Sequence, residues 1–136
     1  MFVHKIINVK TTKRETLIEL TGEIRTALSA MGAGSGILLI SSPHTTAGIT
    51  INENADPDVV TDMVSHLHKM VPDHPGFRHA EGNSDAHIKT ALLGTCVQIP
   101  VILGKPLLGT WQGVYFCEFD GPRNRKVHCT FVGDNP

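Results

Sequence analysis

The chain has 136 residues, 40% of them apolar and 18% charged, which suits one globular domain over 1–136 and excludes a disordered chain. A formal charge of −1 excludes general electrostatic attraction to nucleic acid or an anionic membrane. No run approaches the ~18 apolar residues of a membrane span.

At the N-terminus, "FVHKIINV" and "ETLIEL" alternate as strands joined by the polar turn "KTTKR". "TGEIRTALSAMGAG" is expected as a helix, with Thr21 as its cap and Gly32 or Gly34 as its stop. "SGILLISSPHTTAGITINEN" follows as two strands interrupted between Pro43 and Gly48. The first, Ile37 to Ile40, is apolar on both faces and is expected in the middle of a sheet.

The clearest helix is "NADPDVVTDMVSHLHKMVP". Asp56 caps it, Pro57 suits its first position, and Asp58 favours the positive end of the helix dipole. Val60, Met63, Val64, Leu67 and Val71 recur on one face, and Pro72 ends it. After the loop "DHPGFRHAEGN" comes a shorter helix, "SDAHIKTALLG", capped by Asn83 or Ser84 and stopped by Gly94. "TCVQIPVIL", "TWQGVYFCEF" and "RKVHCTFV" are strands separated by "GKPLLG" and "DGPRN". About seven strands with two or three helices, ending in an antiparallel run, predict a single compact α+β domain with a largely antiparallel sheet. Such short helices leave part of a sheet bare, which a homo-oligomer would cover.

Cys96, Cys117 and Cys129 are odd in number, form no C-x-x-C pair and sit in apolar runs, so each is expected as a buried small hydrophobe. With no signal-peptide pattern in "MFVHKIINVK", this points to a reducing, cytoplasmic setting.

Histidine is the unusual component, with eight in the chain. His44 follows a buried strand where the chain breaks. His87 falls in the first turn of the third helix, where the dipole favours a neutral ring. His79 precedes a Glu-Gly-Asn-Ser turn that can fold it back beside His87. Three neutral imidazoles with an open position are a zinc-type arrangement, although no strict metal-ligand spacing is present. His66 and His68 point to nearly opposite sides of their helix and are expected to be structural. His74 fits a turn, and His4 and His128 fit half-buried strand positions.

Among the carboxylates, Glu53 shares strand parity with Ile49 and Ile51, so a covered face would make it an acid or base. Asp85 starts the third helix as a favourable dipole charge or a site group. Glu118 shares parity with Val114 and Phe116 and is expected as a buried carboxylate in a salt bridge. Trp111, beside Gln112, offers a ring for stacking. Arg123 and Arg125 follow a Gly-Pro turn, from which guanidinium forks can bind phosphate. Neither standard phosphate loop is present.

In their order, "SSPHTTAGITINENADPDVVTDM", "HAEGNSDAHIKTALLG" and "QIPVILGKPLLGTWQGVYFCEFDGPR" resemble the secondary thiamine-phosphate synthase family. The resemblance implies a homotrimer with sites near subunit boundaries. It marks His44, Glu53, His79, Asn83, Asp85, His87, Trp111, Gln112 and Arg123 as site positions. The implied activity joins a hydroxymethylpyrimidine diphosphate to a thiazole phosphate. Glu53 and Asp85 would then be catalytic, while Asn83, Trp111, Gln112 and Arg123 would bind a small phosphorylated substrate. His44, His79 and His87 would hold a divalent metal. Their donors suit zinc, whereas diphosphate chemistry calls for Mg²⁺. Two alternatives stand beside it: a metal-dependent hydrolase using the three histidines with Glu53 as base, and a non-catalytic ligand-binding or assembly protein.

Overall fold

The computed structural model describes all 136 residues. Eight strands and three helices follow in the order β1 (Phe2–Lys10), β2 (Thr16–Glu19), α1 (Thr21–Met31), β3 (Gly36–Ser41), β4 (Ala47–Glu53), α2 (Pro57–Met70), α3 (Ser84–Leu93), β5 (Cys96–Ile102), β6 (Lys105–Pro106), β7 (Gln112–Glu118) and β8 (Asn124–Gly133). The domain is α+β, as its pattern predicts. One strand more than expected arises because the "GKPLLG" segment turns back on β5 as the two-residue β6.

The strands form two antiparallel sheets, ordered β1-β8-β3-β5-β6 and β2-β7-β4. Their facing sides make the main core. Leu38, Ile40, Val127, Cys129 and Phe131 of the larger sheet meet Ile49, Val114 and Phe116 of the smaller, and Ile24 and Leu28 of α1 join them. On the reverse of β7, Tyr115 and Cys117 pack with Leu17, Phe119 and Ala86 beneath α2 and α3. The strand period of two therefore gives β7 two buried faces, with Val114 and Phe116 on one and Tyr115 and Cys117 on the other.

The larger sheet has a different fate. β3 lies at its centre, as its apolar sequence predicts, but only Leu38 and Ile40 are buried while Ile37 is 49% exposed. Phe2, Ile6, Ile102 and Val132 are also exposed at alternating positions along the neighbouring strands. No helix covers this outer face.

Helix ends follow the expected chemistry in part. Asp56 accepts from the Asp58 amide at 2.9 Å and Pro57 opens α2. Gly32 ends α1 at φ 65°, a conformation that glycine adopts without Cβ strain. Thr21 lies inside α1 instead of capping it, because its hydroxyl accepts from the Val114 amide at 3.0 Å and ties the helix to β7. Asn83 occupies the cap position of α3 but makes no side-chain capping bond. Cys117 and Cys129 are buried as expected, whereas Cys96 is exposed at the start of β5. No helix is long and apolar enough to cross a membrane.

Candidate functional site

A cavity of about 460 Å³ lies beyond the ends of both sheets, and none of its lining residues is hydrophobic. Pro43, His44, Thr45 and Thr46 enter it from the β3–β4 connection. His79, Glu81, Asn83 and His87 come from the start of α3 and the loop before it, Asp120 and Arg123 from the β7–β8 turn, and Arg125 from the start of β8. Three chain breaks thus deliver their polar groups to one place, as strand ends and loops commonly do.

His44 is held by an extension of the β-ladder. Its neighbour β3 stops at Ser41, which pairs with His128, so β8 continues with no backbone partner on that side. The imidazole fills the gap: its Nε2 accepts from the Lys126 amide at 2.9 Å. An amide can only donate, so Nε2 must be the unprotonated nitrogen and Nδ1 carries the proton. Burial and the Arg125 charge push the His44 pKa down, which keeps this neutral form. The ring also sits edge-on to Phe116, at 6.4 Å between centroids.

The sequence between His79 and His87 folds as its turn chemistry suggests. Gly82 takes φ 72°, where a side chain would strain the backbone, and its amide donates to the His79 carbonyl at 3.1 Å. The two imidazoles come to 5.5 Å between centroids, near perpendicular at 76°. Below them Asn83 is 92% buried, and its amide nitrogen donates to Asp120 at 2.9 Å. Its carbonyl oxygen is buried with no partner. Such an oxygen is costly to leave unpaired and calls for a donor.

The two arginines are steered by carboxylates. Arg123 donates through Nη2 to Asp120 at 3.0 Å and through Nε to the Asp120 carbonyl at 2.8 Å. Arg125 was expected to project from the turn with Arg123, but strand parity sends it inward with Val127 and it is buried. There its Nε donates to Glu118 at 2.8 Å and its Nη2 to the same carboxylate and to Thr46. Glu118 is accordingly a buried, salt-bridged carboxylate. Both guanidiniums keep Nη1 without a partner in the chain.

Three histidines, Asn83 and Arg123 are brought together, but the other expected site residues are not. Glu53 and Gln112 pair at the far end of β4 and β7, whereas Ala47 pairs with Glu118 beside the cavity. The six intervening steps span about 20 Å. Trp111, 63% exposed, lies at that far end with them. Glu53 thus stands too far from the histidines to be their base.

Asp85 is fully buried and lines no part of the cavity. Its carboxylate accepts two parallel bonds from Arg14, both at 3.0 Å, and a third from the buried Lys89 at 3.1 Å. Burial pushes its pKa up, but the Arg14 and Lys89 bonds outweigh that and hold it at about 2. Lys89 and His68 both bond Glu15, completing an ion network under α3. Asp85 is therefore an anchor for the helix that carries His87. The same network borders a larger cleft of about 660 Å³ beside α2, where Arg14, Glu15 and His68 are already paired with one another or with Asp85 and Lys89.

The histidines do not make the metal centre their chemistry suggests. The one lone pair of His44 is taken by the Lys126 amide, and no three His, Cys, Asp or Glu side chains group as a ligand set. A catalytic zinc asks for three converging protein donors beside its open position, and Mg²⁺ for converging oxygens. As arranged, the donor set fits neither.

A family model described as UPF0047 protein YjbQ-like matches residues 5–134. The UPF0047 protein of Methanocaldococcus jannaschii is 52% identical over 126 residues, covering 93% of this chain and 91% of that protein. UPF0047 protein YugU of Bacillus subtilis is 49% identical over 130 residues, covering 95% and 98% respectively. A crystal structure of an uncharacterised YjbQ/UPF0047-family protein from Clostridium acetobutylicum is 47% identical with a TM-score of 0.91, covering 94% of this chain and 99% of that one. These matches correct the resemblance drawn from the motifs. The family is UPF0047, distinct from a thiamine-phosphate synthase, and none of these names carries an activity.

Proposed function

The chain belongs to the YjbQ-like UPF0047 family, and for this member we propose an enzyme site that binds a small phosphorylated molecule, with His79 and His87 as its acid–base pair. The observation that carries it is the cavity's set of unused polar groups. His44 Nδ1–H and Nη1 of Arg123 and Arg125 are donors without partners, and the buried Asn83 oxygen is an acceptor without one.

The division of labour follows from chemistry. Guanidinium and imidazole N–H groups suit phosphate oxygens. The Asn83 oxygen suits a hydroxyl or protonated oxygen of the same ligand. Arg125 is neutralised by Glu118 and Arg123 by Asp120, so binding relies on directed donors more than on net charge. Adjacent imidazoles let one accept a proton while the other donates, the usual part of histidine in general acid–base catalysis.

Titration with inorganic phosphate and a simple phosphomonoester tests this. Wild type binds both and turns over the ester. His87→Ala and Arg123→Ala each weaken phosphate binding about tenfold, the loss expected for one charge-assisted hydrogen bond. Binding without turnover leaves a ligand-binding protein, and no binding sinks the proposal.

We further propose that a second copy of the chain covers the outer face of the larger sheet. Support comes from Phe2, Ile6, Ile37, Ile102 and Val132, large apolar groups exposed on neighbouring strands of that face. Large apolar groups gathered on one exposed sheet face mark an interaction surface.

A further inference from the structure

The His79 and His87 rings border two cavities of opposite character. The polar one has no hydrophobic residue in its lining. The second, about 450 Å³, is lined by Phe77, His79, Ser84, His87 and Ile88. Ser84, His87 and Ile88 stand at i, i+3 and i+4, so one face of α3 presents all three. Phe77 comes from the preceding loop, where its amide donates to the His74 carbonyl at 3.1 Å and its ring lies 5.7 Å from the His74 ring. Neither Phe77 nor Ile88 belongs to a core cluster, and Ile88 is exposed. These two apolar side chains flank the histidine pair without serving the fold's interior.

We propose that this second cavity receives the apolar ring of the molecule whose phosphate enters the first. The proposal rests on the phosphate site above and narrows its substrate to a phosphate ester of an apolar or aromatic alcohol. The ester bridge then lies at the two imidazoles. A sugar phosphate would set most of its hydroxyls against Phe77 and Ile88, with only Ser84 and the imidazoles to pair them, and so lose affinity. An aromatic ring gains by removing apolar surface from water on both sides.

Calorimetric titration with inorganic phosphate, phenyl phosphate and a hexose phosphate tests it, in wild type, Phe77→Ala and Ile88→Ser. Both substituted positions lie outside the core clusters, and circular dichroism checks that each variant is folded. Wild type is expected to bind phenyl phosphate about tenfold tighter than either other ligand, from the apolar area covered. Each variant should lose most of that advantage while binding inorganic phosphate unchanged. Equal affinity of wild type for the three ligands overturns the ring cavity, as does an undiminished phenyl advantage in both variants. Phenyl phosphate bound where inorganic phosphate is not would overturn the phosphate site instead, and no binding of any ligand overturns both.

Discussion

Glu118 and Arg125 meet across the interval between the two sheets, one from β7 and the other from β8. Arg125 Nε lies 2.8 Å from Oε1, and Nη2 bonds Oε2. The carboxylate also accepts from the Thr11 hydroxyl at 2.7 Å and the Asp120 amide at 3.2 Å. This pair joins the layers and aims Arg125 at the cavity. Removing one partner of a buried pair leaves the other uncompensated, at about 3–5 kcal/mol. Glu118→Gln should lower the unfolding free energy in urea by about 3 kcal/mol, at the lower limit because the amide keeps some hydrogen bonds. The double change Glu118→Leu with Arg125→Met should recover part of it. A single variant as stable as wild type would contradict the structural role.

Asp85 makes an acid-dependent contribution. Its pKa is held at about 2 in the fold against an ordinary 3.8. A depressed carboxyl stabilises the fold fully above the ordinary value and loses that contribution as pH falls through the folded one. About 2 kcal/mol should therefore disappear between roughly pH 4 and 2. In Asp85→Asn that increment should be absent from the pH dependence, and the variant should be less stable at neutral pH. Urea unfolding at several pH values measures both.

The thiols should differ sharply in reactivity. Burial pushes Cys117 up to about 12 and Cys129 up to about 11. The thiolate is the reactive form, so both should be inert near neutral pH. Cys96 is exposed. A disulfide reagent should modify at most one thiol per native chain, Cys96 lying on the outer face proposed for assembly, and three after denaturation. Rapid modification of all three in the native protein would contradict the packing of β7 and β8.

Assembly through the outer sheet face is tested by mass. Light scattering coupled to size-exclusion chromatography should give a multiple of 14.7 kDa. Ile37→Lys, at a half-exposed position outside the core, should shift the protein towards the monomer while leaving its circular dichroism intact. A wild-type monomer would refute the proposed interface.

How much of this was legible in the sequence depended on whether the signal was local. Pro57 after Asp56 marked the start of α2, and Gly82 allowed His79 to turn back on His87, because each acts within a few residues. Strand parity located Glu118 on a buried face. Parity alone could not say that Glu53, on the same run as Ile49 and Ile51, would end some 20 Å from the histidines, since distance along a strand matters as well as its face. Arg125 illustrates the reverse: its turn context suggested solvent, but its parity with Val127 sent it to Glu118. The Lys126 partner of His44 had no local signal at all. It depends on β3 ending before β8 does, a property of two strands distant in sequence. Likewise, Asn83 takes the cap position its sequence suggests, but its side-chain nitrogen donates to Asp120 on another turn and its oxygen is turned away from the helix amides.

The central claim is that the cavity is poised to receive an anion through donors held in place beforehand, and His44 reports on it most directly. Ring nitrogen NMR at neutral pH should show a neutral His44 with its proton on Nδ1, and that signal should move on addition of inorganic phosphate while chelating agents leave the response unchanged. A proton on Nε2, or a His44 ring indifferent to phosphate, would contradict the account.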